Sequence, residues 1–445
     1  MAVSAIGISQ FIPAARRMEA TRRPRRRLLN SVILTAMISK PPHHRVTPGV
    51  HTFALLSGIE AVVRGTALAV YPLVMYRVWG DAATVAQLYF VVGVFSLLTT
   101  LSLPLLARRI PRRWIYIFGV TLYVVSAGFG MLGGKAVTAA LLCHTLGTAT
   151  VFVCFNTYVL DHVARTEFGR LETLRLMYAG LGWSLGPVSG VWLLGVWPEA
   201  PFVVIGAAAC VLLGVFWRTH IGEGRAIMPA GKTPSRPFAY LIRFFSQPRL
   251  VAGWVFTVIR SCGWWVYIVY VGIFAVQNGL GDQVGGIAMS LANMGLFLAP
   301  LMLRWMQRRS VRDAVRTGFL MSACCFILAA LFSPLPWVTV ALLILGSYFL
   351  VLLDICGGLP FMMSVKPSQR TEMSAVYSSF RDVSGILSPA LAWVALYFGP
   401  VAGVFACFGL ALLAAWALAG QLHPQLGVPS AHRVRLRPGV SRGTS

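Results

Sequence analysis

Charge is what this sequence has least of. Asp, Glu, Lys and Arg make up only 11% of its 445 residues, and the acids number 13 against 38 basic residues. A soluble domain carries about 25% charged residues. With 57% apolar residues and a mean hydropathy of +0.73, the chain therefore reads as an integral membrane protein. Segments of alternating polarity are missing too, which excludes a transmembrane barrel. The eight cysteines (143, 154, 210, 262, 324, 325, 356 and 407) show no metal-ligand spacing and no pairing pattern, and are read as small packing residues. The histidines do not gather with cysteines or carboxylates, no serine stands with a suitable histidine and acid, and no glycine loop is built for phosphate. An enzyme, a metal site and a bound cofactor are accordingly not expected. Nor is there a filter-like signature or a ring of charges for a channel.

What is present is hydrocarbon in two blocks. A helix needs about 20 apolar residues to cross the roughly 30 Å hydrocarbon layer, and spans are expected near 53 to 76, 84 to 106, 114 to 133, 136 to 160, 174 to 197, 200 to 217, 250 to 276, 283 to 303, 315 to 333, 337 to 363, 374 to 398 and 400 to 420. The expected fold is an all-α integral membrane protein of 12 transmembrane helices in two six-helix pseudo-repeat bundles. Its parts are a basic N-terminal tail (1–50), a first bundle (51–217), a central linker (218–249), a second bundle (250–420) and a C-terminal tail (421–445). The tail before 50 reads as disordered, or as a start placed too early with Met37 as the true first residue, rather than as a transit peptide.

The basic residues are placed asymmetrically. Arg108, Arg109, Arg112 and Arg113, then Arg165, Arg170 and Arg175, the six basic residues of the linker, Arg304 to Arg316, and Lys366 with Arg370 fall in alternate gaps; the intervening gaps hold only Arg77 and Lys135. That is the positive-inside pattern, and it places both termini and the linker in the cytoplasm. The net charge of +25 is thus topology, and nucleic acid is not an expected partner. The excess of arginine over lysine is what a bacterial inner-membrane protein from a GC-rich genome would carry.

The two blocks echo one another. Pro104-Leu105-Leu106-Ala107-Arg108-Arg109 follows the second span and Pro300-Leu301-Met302-Leu303-Arg304 the eighth. Arg170-Leu171-Glu172 and Arg370-Thr371-Glu372 open the fifth and eleventh, and Ser184-Leu185-Gly186-Pro187 is answered by Ile386-Leu387-Ser388-Pro389. Three matches in order indicate an internal duplication, as in transporters that work by alternating access.

Within the fifth span, Gly182, Gly186, Pro187 and Gly190 set small residues and one proline along a helix, a pattern that permits close helix packing and bending. From 51 to 420 the chain resembles the major facilitator superfamily, whose fifth-helix pattern these four residues match. The resemblance associates that pattern with antiport. The family's loop after the second helix is only partly kept: Arg109, Arg112 and Arg113 agree, while Pro104, Arg108 and Pro111 replace glycine, aspartate and glycine. This leaves the usual acid-based gate in doubt and indicates a divergent subfamily.

Ionisable residues at membrane depth are expensive and functional by default. Glu60 and Arg64 stand at i and i+4, where they can pair. Asn156 lies in the fourth span with Asp161 near its end, Arg260 in the seventh, Asp354 deep in the tenth, and Arg381 and Asp382 in the eleventh. The resemblance implies that the first, fourth, seventh and tenth helices line a central cavity. Glu60, Arg64, Asn156, Arg260 and Asp354 are therefore the expected substrate and proton residues, with Asp161, Arg381, Asp382, Arg109, Arg112 and Arg113 in gating or ion-pair roles. The bland alternative is that these charges merely tie helices together, and that Trp264, Trp265, Tyr267 and Tyr270 pack or face lipid rather than touch a solute. A carboxylate balanced between desolvation and an arginine can take up protons. The expected activity is secondary active transport of a small polar or amphipathic solute, driven by the proton gradient and working as a monomer in the bilayer. Antiport and export are favoured; symport of an anionic or zwitterionic metabolite, and a nontransporting sensor or scaffold, remain open.

Overall fold

The computed structural model describes residues 49–422, apart from 108, 164–166, 220–241, 366–372, 374 and 375. Both expected tails and most of the linker lie outside the described residues. The long helical units among the described residues are, in order, α1 (Val50–Trp79), α2 (Ala82–Leu106), α3 (Arg112–Leu132), α4 (Ala136–His162), α5 (Phe168–Val196), α6 (Ala200–Arg218), α7 (Pro248–Gln277), α8, α9 (Val311–Leu331), α10, α11 (Phe380–Phe398) and α12 (Val401–Ala419). Unit α8 runs Asp282–Met294, tightens through a 3-10 turn at Gly295–Leu298 and resumes at Ala299–Arg308; α10 runs Pro336–Cys356 and resumes at Leu359–Ser364. There is no strand among the described residues. In hydrocarbon no water bonds to a bare N–H or C=O, so apolar segments satisfy their backbone internally as helices.

Eleven of the described helices are long and apolar enough to cross a membrane. The expected eleventh span begins earlier in the sequence than α11, which a turn at 378–379 precedes and whose first turn holds Arg381 and Asp382; these two charges leave its 19 residues too polar for that set. Helix ends are made by local chemistry. Gly80 closes α1 in the left-handed conformation, φ 68°, with its N–H bonded to the Tyr76 carbonyl. Asp81 then caps α2 by accepting from the N–H groups of Ala83 and Thr84.

The two halves repeat one packing scheme: α1 on α5 and α7 on α11, α3 on α4 and α9 on α10, α3 on α6 and α9 on α12. Between halves, α2 packs on α11, α5 on α8 and α1 on α7. The Lys135 ammonium over the Trp79 ring, 5.2 Å from its centroid, sets the start of α4 beside the end of α1, and the Arg113 guanidinium over Trp217 at 4.7 Å sets the start of α3 beside the end of α6. Val50, Arg218, Pro248 and Ala419 share one face.

Helices α1 and α5 touch backbone to backbone. A Cβ added to Gly182 would lie 2.7 Å from the Ala61 carbonyl carbon, one on Gly186 2.5 Å from that of Gly65, and one on Gly190 2.9 Å from the Thr66 oxygen. Pro187 sits inside α5, and the neighbouring Val188 N–H donates to Ser290 Oγ of α8 at 3.1 Å. All eight cysteines are free; four are buried, while Cys210, Cys324 and Cys407 are exposed. The expectation that all eight act as packing residues therefore fails for those three, because a helix in lipid can present a small apolar side chain outward.

Candidate functional site

Among the described residues, two ion pairs lie inside the bundle, one in each half. In α1, one helical turn brings the Arg64 guanidinium to within 3.4 Å of Glu60. Arg64 also covers the ring of Trp183 in α5 at 5.0 Å, reached because glycines let α5 come so near. Glu60 is 8% exposed, and Tyr116 and Tyr123 of α3 are close enough to feel its charge.

In the second half, Arg260 of α7 lies 3.1 Å from Asp354 of α10 through Nε and Oδ1. The contact is off-line: Nε is sealed from solvent yet makes no directed hydrogen bond, so the attraction is that of an ion pair. The directed bond to Asp354 comes from Trp264, whose indole N–H donates to Oδ2 at 3.0 Å. Arg260 further lies over Phe380 at 5.5 Å. Asp354 stands two residues before the end of the first segment of α10, where Gly357 and Gly358 interrupt the helix, and is not in mid-helix as its position in the sequence suggests.

The other candidates separate. Asn156 is half-buried in α4. The side chain of Asp161 lies outside the described residues. Arg381 lies across the boundary between halves, its guanidinium 4.1 Å from the centroid of Phe152 in α4, while Asp382 turns to Thr100 of α2. Arg109 is exposed, and Arg112 and Arg113 are half-buried at the start of α3. The four aromatics of α7 pack: Trp264, Tyr267 and Tyr270 are buried, with Tyr267 donating to the Ala288 carbonyl at 2.7 Å.

Three contributors were not singled out from sequence. Trp183 carried no signal apart from its place in the glycine pattern. Arg175, counted among loop cations, lies within α5 with Nε donating to Ser57 Oγ at 3.1 Å. His144 of α4 is buried between the rings of Tyr71 and Tyr123, at 5.2 and 5.0 Å, with Nδ1 unpartnered; an ionisable residue in an apolar run was the signal that could have found it. Among the described residues, no three His, Cys, Asp or Glu gather as metal ligands.

The chain as a whole is similar to known transporters. The chain is 22% identical over 298 residues to the multidrug efflux protein YfmO of Bacillus subtilis (strain 168), covering 65% of this chain and 71% of that one. Among solved structures it is similar to the nucleoside transporter NupG (TM-score 0.63, 15% identity, 84% of this chain and 100% of that one). A POT family transporter in complex with 5-aminolevulinic acid aligns with a TM-score of 0.68 at 13% identity, over 85% and 96% of the two chains. A bacterial homolog of the human lysosomal transporter Spinster gives 0.59 at 14% identity, over 86% and 96%. At such identities the structures show a shared fold. The Major Facilitator Superfamily model matches residues 53–389, three quarters of the chain, and the protein belongs to that superfamily.

Proposed function

We propose that this membrane transporter moves a small polar or amphipathic solute by alternating access, coupled to protons, with antiport and export as its direction. The observation that carries the reading is the pair of deep ion pairs, Glu60–Arg64 in one half and Arg260–Asp354 in the other. Two separately buried carboxylates, each held by an arginine, can exchange that partner for a proton or a solute as the halves rock. A structural tie needs one such pair between helices. Glu60–Arg64 lies within a single helix, so the ion pair itself joins no two helices. The positive-inside asymmetry supports a cytoplasmic side for the face of Val50 and Ala419, and the relative described as an efflux protein supports export. The opposite direction, symport of an anionic or zwitterionic metabolite, uses the same residues with solute and proton bound together. Glu60, Arg64, Asn156, Arg260 and Asp354 serve substrate and proton, and the Gly182–Gly190 face of α5 holds α1 and α5 together as one body of the first half.

The test is solute-triggered proton movement in liposomes holding the purified protein and a pH-sensitive dye, with a panel of charged and zwitterionic solutes. Wild type is expected to move protons with at least one solute, and Glu60→Gln or Asp354→Asn to lose that movement. Movement intact in both variants would make the two acids structural. No movement with any solute would favour the nontransporting sensor or scaffold.

A further inference from the structure

Arg381 is the one deep cation among these that forms no close ion pair with a described residue. Glu60 is taken by Arg64 at 3.4 Å and Asp354 by Arg260 and Trp264. Asp382, next in sequence, turns to Thr100. The Arg381 guanidinium forms no ion pair and no hydrogen bond with any described residue. Instead it stacks against Phe152 of the first half at 4.1 Å and lies 5.7 Å from Phe380 of its own. The sealed, unpartnered side-chain nitrogens of the described residues are on His144, Arg260, Arg312 and Arg316; those of Arg381 are not among them, and Arg381 is half-buried. Three cations, Arg64, Arg260 and Arg175, are near enough for their charges to act on it, against one acid, Asp382.

A membrane protein that brings this much positive charge together at the boundary of its halves, with five N–H donors of one guanidinium unused, has placed an energetic demand there that an anion meets. The fork of a guanidinium matches the two oxygens of a carboxylate or other oxyanion, which a lysine ammonium would not. Phe152, Phe380 and Trp183 surround the charges with rings suited to an apolar or aromatic body.

Resting on the transporter reading above, we propose that the solute is an organic oxyanion with an apolar body, bound bidentately by Arg381 with Arg64 and Arg260 alongside. A bound oxyanion links α11 of one half to α1 of the other and neutralises the repulsion that otherwise pushes them apart, so binding favours their approach.

The experiment is ligand-dependent thermal stabilisation of the purified full-length protein in detergent, titrated with benzoate and benzenesulfonate against the uncharged benzamide and the cationic benzyltrimethylammonium. Saturable stabilisation by the two anions is expected, with apparent affinity at least about tenfold better than for the other two. Arg381→Gln should weaken anion binding by about tenfold or more. Arg381→Lys, which keeps the charge and loses the fork, should show a smaller loss and serves if the glutamine variant does not fold. Benzamide or the cation binding as well as the anions, no saturable stabilisation by either anion, or anion affinity unchanged in both Arg381 variants would overturn the proposal. Benzenesulfonate, which stays charged and does not leak across lipid as an acid, is then applied to proteoliposomes. Its binding without proton movement would uphold this site while removing the transport reading. Proton movement triggered by benzyltrimethylammonium alone would keep transport and overturn this site.

Discussion

Arg77 at the end of α1 and Asp282 at the start of α8 form an ion pair that joins the first half of the chain to the second, on the face opposite Val50 and Ala419. Beside it, Gln283 Nε2 donates to the Val191 carbonyl of α5 at 3.2 Å, and a Cβ on Gly286 would lie 3.0 Å from the Pro187 oxygen. The halves are thus closed against each other at that end. Both partners of the ion pair are more than a third exposed, so the pair biases the closure without enforcing it.

Asp282→Asn should therefore favour opening by no more than about 1 kcal/mol, or about fivefold in population. In a background with the native cysteines replaced, Gln283→Cys labelled by an impermeant maleimide should react up to about fivefold faster when Asp282 is neutralised. An unchanged rate would mean that packing alone holds this end shut.

The glycine face of α1 and α5 gives a sharper expectation. Gly65 faces the Gly182 carbonyl so closely that an added Cβ has no room, and its neighbours are backbone that cannot rotate away. Gly65→Ala and Gly186→Ala should each destabilise by about 1–3 kcal/mol or abolish folding, as read by melting in detergent. Gly128→Ala, whose Cβ would meet nothing within 4 Å, should be neutral or mildly stabilising.

Removing one member of the Arg260–Asp354 pair strands the other. Asp354→Asn and Arg260→Gln singly should each cost about 3–5 kcal/mol if the remaining charge stays buried, and the double variant should recover much of it. A double variant as unstable as the sum of the singles would show that the two residues act independently.

Asp81 provides a pH dependence. Desolvation acts against its charge, but hydrogen bonds from the Thr84 hydroxyl and the N–H groups of Thr84 and Ala83 outweigh it and hold the carboxyl below its usual range. The folded-state value is depressed, so the cap's contribution is fully present above the unfolded value of about 3.9 and is lost as pH falls through the lower folded value. Asp81→Ala should cost about 1 kcal/mol at neutral pH, with the difference from wild type shrinking in acid.

Much of the fold was legible because a bilayer demands long apolar helices, and the Pro104 and Pro300 echoes reported the duplication directly. The glycine spacing around Pro187 anticipated the contact of α5 with α1. What sequence could not give was distance across the halves. Arg77 looked like a stray cation in an otherwise neutral gap until Asp282, 205 residues later, came beside it. Arg260 and Asp354 were expected in one cavity, but nothing local announced that Trp264, four residues after Arg260, would donate the directed bond. Arg381 and Asp382 are adjacent in sequence yet turn apart, to Phe152 and Thr100, because successive helical residues point about 100° from one another.

In the proposed cycle the two halves move as bodies, each carrying its own buried ion pair. Spin labels at Lys135 and Asn278 report the end closed by Arg77 and Asp282, and labels at Arg109 and Arg308 report the opposite end. Pulsed electron–electron distances for both pairs, recorded in lipid at high and low pH and with a saturating solute, test it most directly. Reciprocal change is predicted, one end widening as the other narrows, with the response lost in Glu60→Gln and Asp354→Asn. Distances that stay fixed at both ends under every condition, or that widen together, would contradict it.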